Sequence, residues 1–89
     1  MELMGYSVCA GLNKDVAKRQ HYSTVGQCIE AVRAASNPGG IWMAPVTRFG
    51  VGRWIQVARY DGRGRVFVGM DDEEATEEAL IKLANFMLL

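Results

Sequence analysis

Between Met4 and Leu12 apolar residues occupy every second position: Met4, Tyr6, Val8, Ala10 and Leu12 alternate with Gly5, Ser7, Cys9 and Gly11. A period of two predicts a strand with one buried face, weakened here by its glycines. Asn13 to Tyr22 is polar and basic, which fits either one helical turn capped by Asn13 or a loop. The period then lengthens. Val25, Cys28, Ile29 and Val32 follow the i, i+3, i+4, i+7 spacing of a single helix face, so a helix is expected from Thr24 to Ala35. Thr24 followed by Gln27 forms a capping box, in which each side chain satisfies the other residue's free amide. Asn37-Pro38-Gly39-Gly40 ends that helix, since proline cannot continue it and glycine accepts the positive φ of a helix stop.

Three extended segments follow, Ile41 to Thr47, Arg53 to Tyr60 and Arg65 to Met70. Pro45 lacks an amide donor, which predicts that the first of these is an edge strand or is bulged there. Asp61-Gly62-Arg63-Gly64 between the other two is a hairpin signal, because both glycines tolerate φ > 0. An even loop places Tyr60 opposite Arg65 and gathers Ile55, Val57, Val66, Val68 and Met70 on one face. Trp54, Gln56, Ala58, Tyr60, Arg65 and Phe67 then share the other. An odd loop reverses the second strand relative to the first. The even register is the expected one, because it makes an all-aliphatic buried face and keeps Gln56 out of the core. A last helix is expected from about Asp72 to Met87, with Ala75, Ala79, Leu80, Leu83, Ala84 and Met87 as its apolar side. The order is β-α-β-β-β-α, an α+β fold in which an antiparallel sheet of three to four strands packs against two helices.

Composition narrows the class. At 89 residues the chain is one domain, and 49% apolar with 22% charged residues is globular rather than disordered. The two cysteines, Cys9 and Cys28, have no CxxC or zinc spacing. With no basic-then-apolar leader and no membrane-length apolar run, the expectation is a cytoplasmic protein with reduced thiols and no membrane partner.

Formal net charge is zero, but the signs are separated along the chain. Met1 to Val66 holds nine Lys/Arg against four acids, while Phe67 to Leu89 holds six acids against Lys82 alone. Such asymmetry bears on partners. Arg53, Arg59, Arg63 and Arg65, interleaved with Trp54, Tyr60 and Phe67, form a basic and aromatic sheet face. Arginines meet phosphates and rings stack on bases, so DNA or RNA contact is the leading expectation. The alternative is a protein-binding adaptor or inhibitor of the kind found in phages and mobile elements. It would meet a basic protein through Asp72, Glu73, Glu74, Glu77 and Glu78, with Phe86 and Leu88 in an apolar terminus (Phe86 to Leu89) that promotes a homodimer.

No enzyme is expected. His21 is the lone histidine, and nothing in the spacing brings it to Cys9 or Cys28. Asp71 to Glu74 lacks calcium-loop spacing, and acids collect at helix starts without any ion, so no metal or cofactor is expected. Gly50-Val51-Gly52 and Gly62-Arg63-Gly64 precede strands, not helices, and so are not dinucleotide loops.

From Gly52-Arg53-Trp54-Ile55-Gln56-Val57-Ala58-Arg59 through Gly64-Arg65-Val66-Phe67-Val68-Gly69, with Thr76-Glu77-Glu78-Ala79 in the last helix, the chain resembles the AP2-type DNA-binding domain. That resemblance implies a three-stranded sheet on one helix, with Arg53, Arg59, Arg65 and Phe67 on a DNA face, and it requires the odd hairpin register. It covers less than a quarter of the chain. Ala44-Pro45-Val46-Thr47-Arg48 stands where the family has Arg-Gly-Val-Arg, and Met1 to Gly40 has no counterpart. The helix-strand-strand-strand-helix order is also similar to that of double-stranded-RNA-binding domains. Asp71-Asp72-Glu73-Glu74 replaces the lysines of that family's second helix, so its activity does not carry over.

Overall fold

The computed structural model describes residues 3–88, and the changes of period along the chain mark out its main elements. The alternating segment is strand β1 (Gly5–Gly11), followed by a short helix α1 (Lys14–Ala17) and a two-residue strand β2 (His21–Tyr22). Then come helix α2 (Val25–Arg33), strand β3 (Gly39–Thr47) and a short return strand β4 (Gly50–Val51). Strands β5 (Ile55–Tyr60) and β6 (Val66–Val68) form the hairpin, and helix α3 (Glu77–Leu88) closes the fold. Without α1, β2 and β4 the order is the expected β-α-β-β-β-α, an antiparallel sheet packed against helices. Among the described residues the sheet has six strands, because β2 and β4 are too short to leave a period in the sequence.

Strand β3 is not the edge that Pro45 predicts. It runs between β1 and β5 in the order β2-β1-β3-β5-β6. Proline is accommodated because β5 pairs with β3 only as far as Met43 opposite Ile55, leaving Pro45 beside the loose β4 turn. The Pro45 carbonyl accepts from the Gly52 amide at 2.8 Å. Amide and carbonyl of one strand residue point to the same side, so the missing donor faces that turn and not the β1 ladder.

One sheet face is buried under α2 and α3. Val8, Ala10, Ile41, Met43, Ile55, Val57, Ala58, Tyr60, Val66 and Val68 form its core with Val25, Cys28, Ile29 and Val32 of α2 and Leu80 and Ala84 of α3. Thr24 Oγ1 accepts from the Gln27 amide at 3.0 Å, which is the N-cap half of the capping signature. Met4 and Leu12, at either end of the alternating run, lie outside β1 and are exposed. The opposite face is covered only over β1 and β3, where α1 makes a second small core of Cys9, Ala17 and Trp42 edged by Trp54. A Cβ on Gly11 would lie 2.8 Å from the Ala17 nitrogen, so this glycine is what lets α1 touch the strand. Cys9 and Cys28 are free thiols in cores on opposite sides of the sheet.

The β5–β6 hairpin takes the odd register, not the even one expected. Tyr60 stands opposite Val66 and Arg59 opposite Phe67. Asp61 sets this loop: its Oδ1 accepts from the Arg63 amide at 2.7 Å and the Arg65 amide at 3.2 Å. The aliphatic residues stay inside because β5 carries a bulge. Ile41 faces Ala58 and Trp42 faces Gln56, so Val57 has no opposite number on β3. One extra residue reverses the alternation, turning Ile55 and Val57 inward before it and Ala58 and Tyr60 inward after it. The Val57 carbonyl is satisfied by the Gly69 amide at 2.7 Å. Met70, expected on the aliphatic face, lies past the end of β6 and is 86% exposed.

The last helix begins at Glu77 and not at Asp72, with Thr76 Oγ1 accepting from the Ala79 amide at 3.1 Å. The residues before it are held by the sheet. The Val68 amide donates to the Glu73 carbonyl and the Ala75 amide to the Val66 carbonyl, both at 2.8 Å, and Glu74 bridges Phe67. Ala75 is therefore buried from an edge segment, although its spacing fits the helix.

Candidate functional site

Across the sheet face that α2 and α3 leave uncovered, the register lines up one row of residues. Gly40 of β3 faces Arg59 of β5, Arg59 faces Phe67 of β6, and Phe67 faces Glu74 of the edge segment. Directly opposed residues share a face, so Arg59, Phe67 and Glu74 stand side by side. The bulge at Val57 creates this row. Without it Arg59 would point into the core.

Phe67 is the centre of the group. The Arg59 guanidinium carbon lies 4.4 Å from the centre of its ring and that of Arg65 lies 5.1 Å away. Both are within the distance at which a cation is attracted to a ring face. Arg59 Nη2 also donates to the Asp71 carbonyl at 3.1 Å and to Asp72 Oδ1 at 3.3 Å, so the acidic segment holds this arginine from the edge side. Asp61 fixes the backbone that carries Arg65. Amides from Arg63 and Arg65 hold the Asp61 carboxyl below its ordinary range.

Trp54 precedes β5 on the same face and packs on the small core beneath α1. Its ring meets His21 edge-on, with ring centres 5.7 Å apart. Between Trp54 and the Phe67 cluster stands exposed Gln56, whose side-chain amide donates to the Ala58 carbonyl at 3.2 Å. Trp42 lies flat, because Gly40 has no side chain: a Cβ there would be 2.8 Å from the Trp42 ring. Helix α1, on this side of the sheet, carries Lys14, and Lys18 follows as its C-cap.

The residues predicted from the sequence divide. Arg59, Arg65 and Phe67 come together on the open face, Trp54 lies on the same face but apart from them against the α1 core, and Arg63 is exposed in the adjoining loop. Tyr60 does not join them. It is buried on the helix-covered face, with its ring over Gly39, because the bulge turns it inward. Arg53 lies apart, lining an open cleft of about 740 Å³ with Phe49, Val51, Met87 and Leu88.

The acidic set also divides. Asp72 and Glu73 precede α3, Glu74 sits on the sheet edge, and only Glu77 and Glu78 open the helix. The carboxylates therefore do not form one helical face. Phe86 is 85% exposed, whereas Leu88 is half-buried against the main core. Leu89 of the predicted apolar terminus lies outside the described residues.

One juxtaposition leaves no trace in the local spacing of residues. His21 stands opposite Cys9 through the two-residue strand β2, and its Nδ1 is 3.3 Å from Ser7 Oγ. The Cys9 thiol is sealed under Ala17 and Trp42, and burial pushes its pKa up against the opposing influence of Lys18. A thiol so placed is held protonated and out of reach of a substrate. Cys28 is buried on the other side, its pKa pushed up to about 12.

Among the described residues no three His, Cys, Asp or Glu side chains converge as a metal site requires. No helix among them is long and apolar enough to cross a membrane. Comparison of the chain with protein-family models, curated proteins and solved structures finds no match in any of the three.

Proposed function

We propose that this protein is a small non-enzymatic binding module whose open sheet face contacts nucleic acid. The observation that carries this reading is the pair of guanidinium groups, Arg59 and Arg65, laid against the ring of Phe67. A guanidinium stacked on a ring loses side-chain freedom but keeps outward N–H groups for two phosphate oxygens. Trp54, on the same face, offers ring surface to a base, and Arg63 and Lys18 add positive charge at the borders. Tyr60 has no part in this reading, and Arg53 lines the separate cleft with Phe49 and Met87.

The test is a titration of the protein into labelled single- and double-stranded DNA and RNA at low and moderate salt. Affinity should fall linearly with salt on logarithmic axes, because each arginine–phosphate contact releases counterions. Arg59→Ala with Arg65→Ala should abolish binding, while Arg53→Ala should leave it unchanged. Full affinity in the Arg59/Arg65 double variant would overturn the proposal.

A second reading rests on a separate observation. Phe86 is almost fully exposed on α3, and Met87 lines the cleft with exposed Phe49 and Val51. Apolar groups left in water at one end of a small domain are the mark of a contact surface. In this reading a second copy or a basic protein covers that end, while Glu77 and Glu78 stand at the other end of α3.

A further inference from the structure

We infer that the Arg59–Phe67–Arg65 site selects single-stranded over double-stranded nucleic acid, and that the acidic edge beside it makes the selection. The inference rests on the proposed nucleic-acid reading and names which form of nucleic acid the site takes.

Two borders define the site. On one side α1 stands on the sheet over β1 and β3, with Ala17 against Gly11 and the Cys9–Trp42 core. On the other side runs the segment Asp71–Ala75, paired to β6. The strip between them is β5 and β6 alone, about 10 Å across at the usual strand spacing.

That strip is bordered by unlike charges. Lys14 and Lys18 lie on the α1 side. On the other side Glu74 shares the face of Phe67, and the Asp72 carboxylate reaches Arg59 at 3.3 Å. A duplex read by a sheet ribbon brings a row of phosphates down each side of a groove about 12 Å wide. One row could follow Lys14 and Lys18 on the α1 side, a strip's width from the acidic edge that holds Arg59. The other would lie over Asp72 and Glu74, where like charges repel at short range.

A single strand has one row of phosphates and free base faces. Its backbone can follow Lys18 and Arg65 while a base turns to Trp54, so only the phosphate on Arg59 meets the acidic edge. Asp72 adds a second effect. Its carboxylate already occupies an N–H edge of Arg59, so an incoming phosphate must displace it. A mobile single strand can make that exchange one phosphate at a time, whereas a stiff duplex must seat both rows together.

The experiment measures anisotropy of a labelled twelve-nucleotide strand and of the twelve-base-pair duplex that contains it, in low salt. The wild-type protein should bind the single strand at least about tenfold more tightly. Asp72→Asn with Glu74→Gln changes two exposed side chains without altering the edge pairing, and should narrow the ratio to within about threefold, mainly by gain of duplex binding. Equal wild-type affinity for both probes would overturn the selectivity and leave the proposed function standing. A ratio unchanged in the double variant would overturn the role of the acidic edge. Failure of the wild-type protein to bind either probe would instead overturn the nucleic-acid reading itself.

Discussion

Gly62 is fixed by two independent constraints. Its φ of 77° is open to few side chains, and a Cβ would lie 2.6 Å from the Asn37 carbonyl carbon. Gly64, at φ 94°, has only the Arg33 carbonyl within reach, at 3.9 Å. Gly62→Ala should therefore cost about 2–4 kcal/mol, and Gly64→Ala about 1 kcal/mol, in urea denaturation. Similar losses at both sites would show that backbone conformation matters and the contact with Asn37 does not. Asp61 gives the same loop a pH dependence. Two amides lower its pKa in the folded state, so the native protein binds fewer protons there than the unfolded chain. Its contribution is complete above the unfolded value of about 3.9 and is lost as pH falls through the lower native value. Asp61→Asn keeps an acceptor oxygen but does not titrate there, so its stability should fall less than that of the wild type between pH 5 and pH 3. Parallel acid limbs would remove Asp61 from the account. At this scale the sequence was partly legible. Asp61-Gly62-Arg63-Gly64 announced a hairpin, yet loop parity was hidden because it depends on which amides Asp61 accepts from.

Among the elements, β5 departs furthest from its local pattern. Ile55, Gln56, Val57, Ala58, Arg59 and Tyr60 read as simple alternation, and a single bulge at Val57 exchanges the positions of Arg59 and Tyr60. This gives a direct check. Tyr60→Ala should destabilise the fold by about 3–5 kcal/mol, as removal of a buried aromatic does, while Tyr60→Phe should retain both stability and nucleic-acid affinity. If Tyr60→Phe or a folded Tyr60→Ala variant lost binding at unchanged stability, Tyr60 would belong to the open face after all. Helix α2 shows the opposite case. Its apolar spacing and Thr24 cap are neighbours in the chain and it forms where expected, although it ends at Arg33 with no positive-φ glycine, and Gly39 and Gly40 open β3 instead of stopping it. The acidic stretch falls between the two. Its charges fit a helix start, but the bonds from Val68 and Ala75 recruit it to the sheet edge, and α3 starts only where that pairing ends.

For the whole molecule, separation of charge along the chain becomes juxtaposition in space, with Asp72 and Glu74 beside Arg59 and Phe67. The exposed end of α3 allows an independent test of association. If Phe86 and Met87 meet a second copy, sedimentation should show a dimer that Phe86→Ser with Met87→Ser dissociates. A monomer in both proteins would leave that end for another partner or none. Local order in the sequence determined the α+β class, the succession of principal elements, the buried face of α2 and the location of the hairpin. Each of these follows from burial periods and turn chemistry within a few neighbouring residues. Only the tertiary structure decided that β3 is central, that the hairpin is odd, that β5 is bulged and that the acidic segment is an edge. Those outcomes depend on which hydrogen bonds form, from the Arg63 and Arg65 amides to Asp61 in the loop to Gly69 with Val57 and Ala75 with Val66 across the sheet, and no apolar period records them.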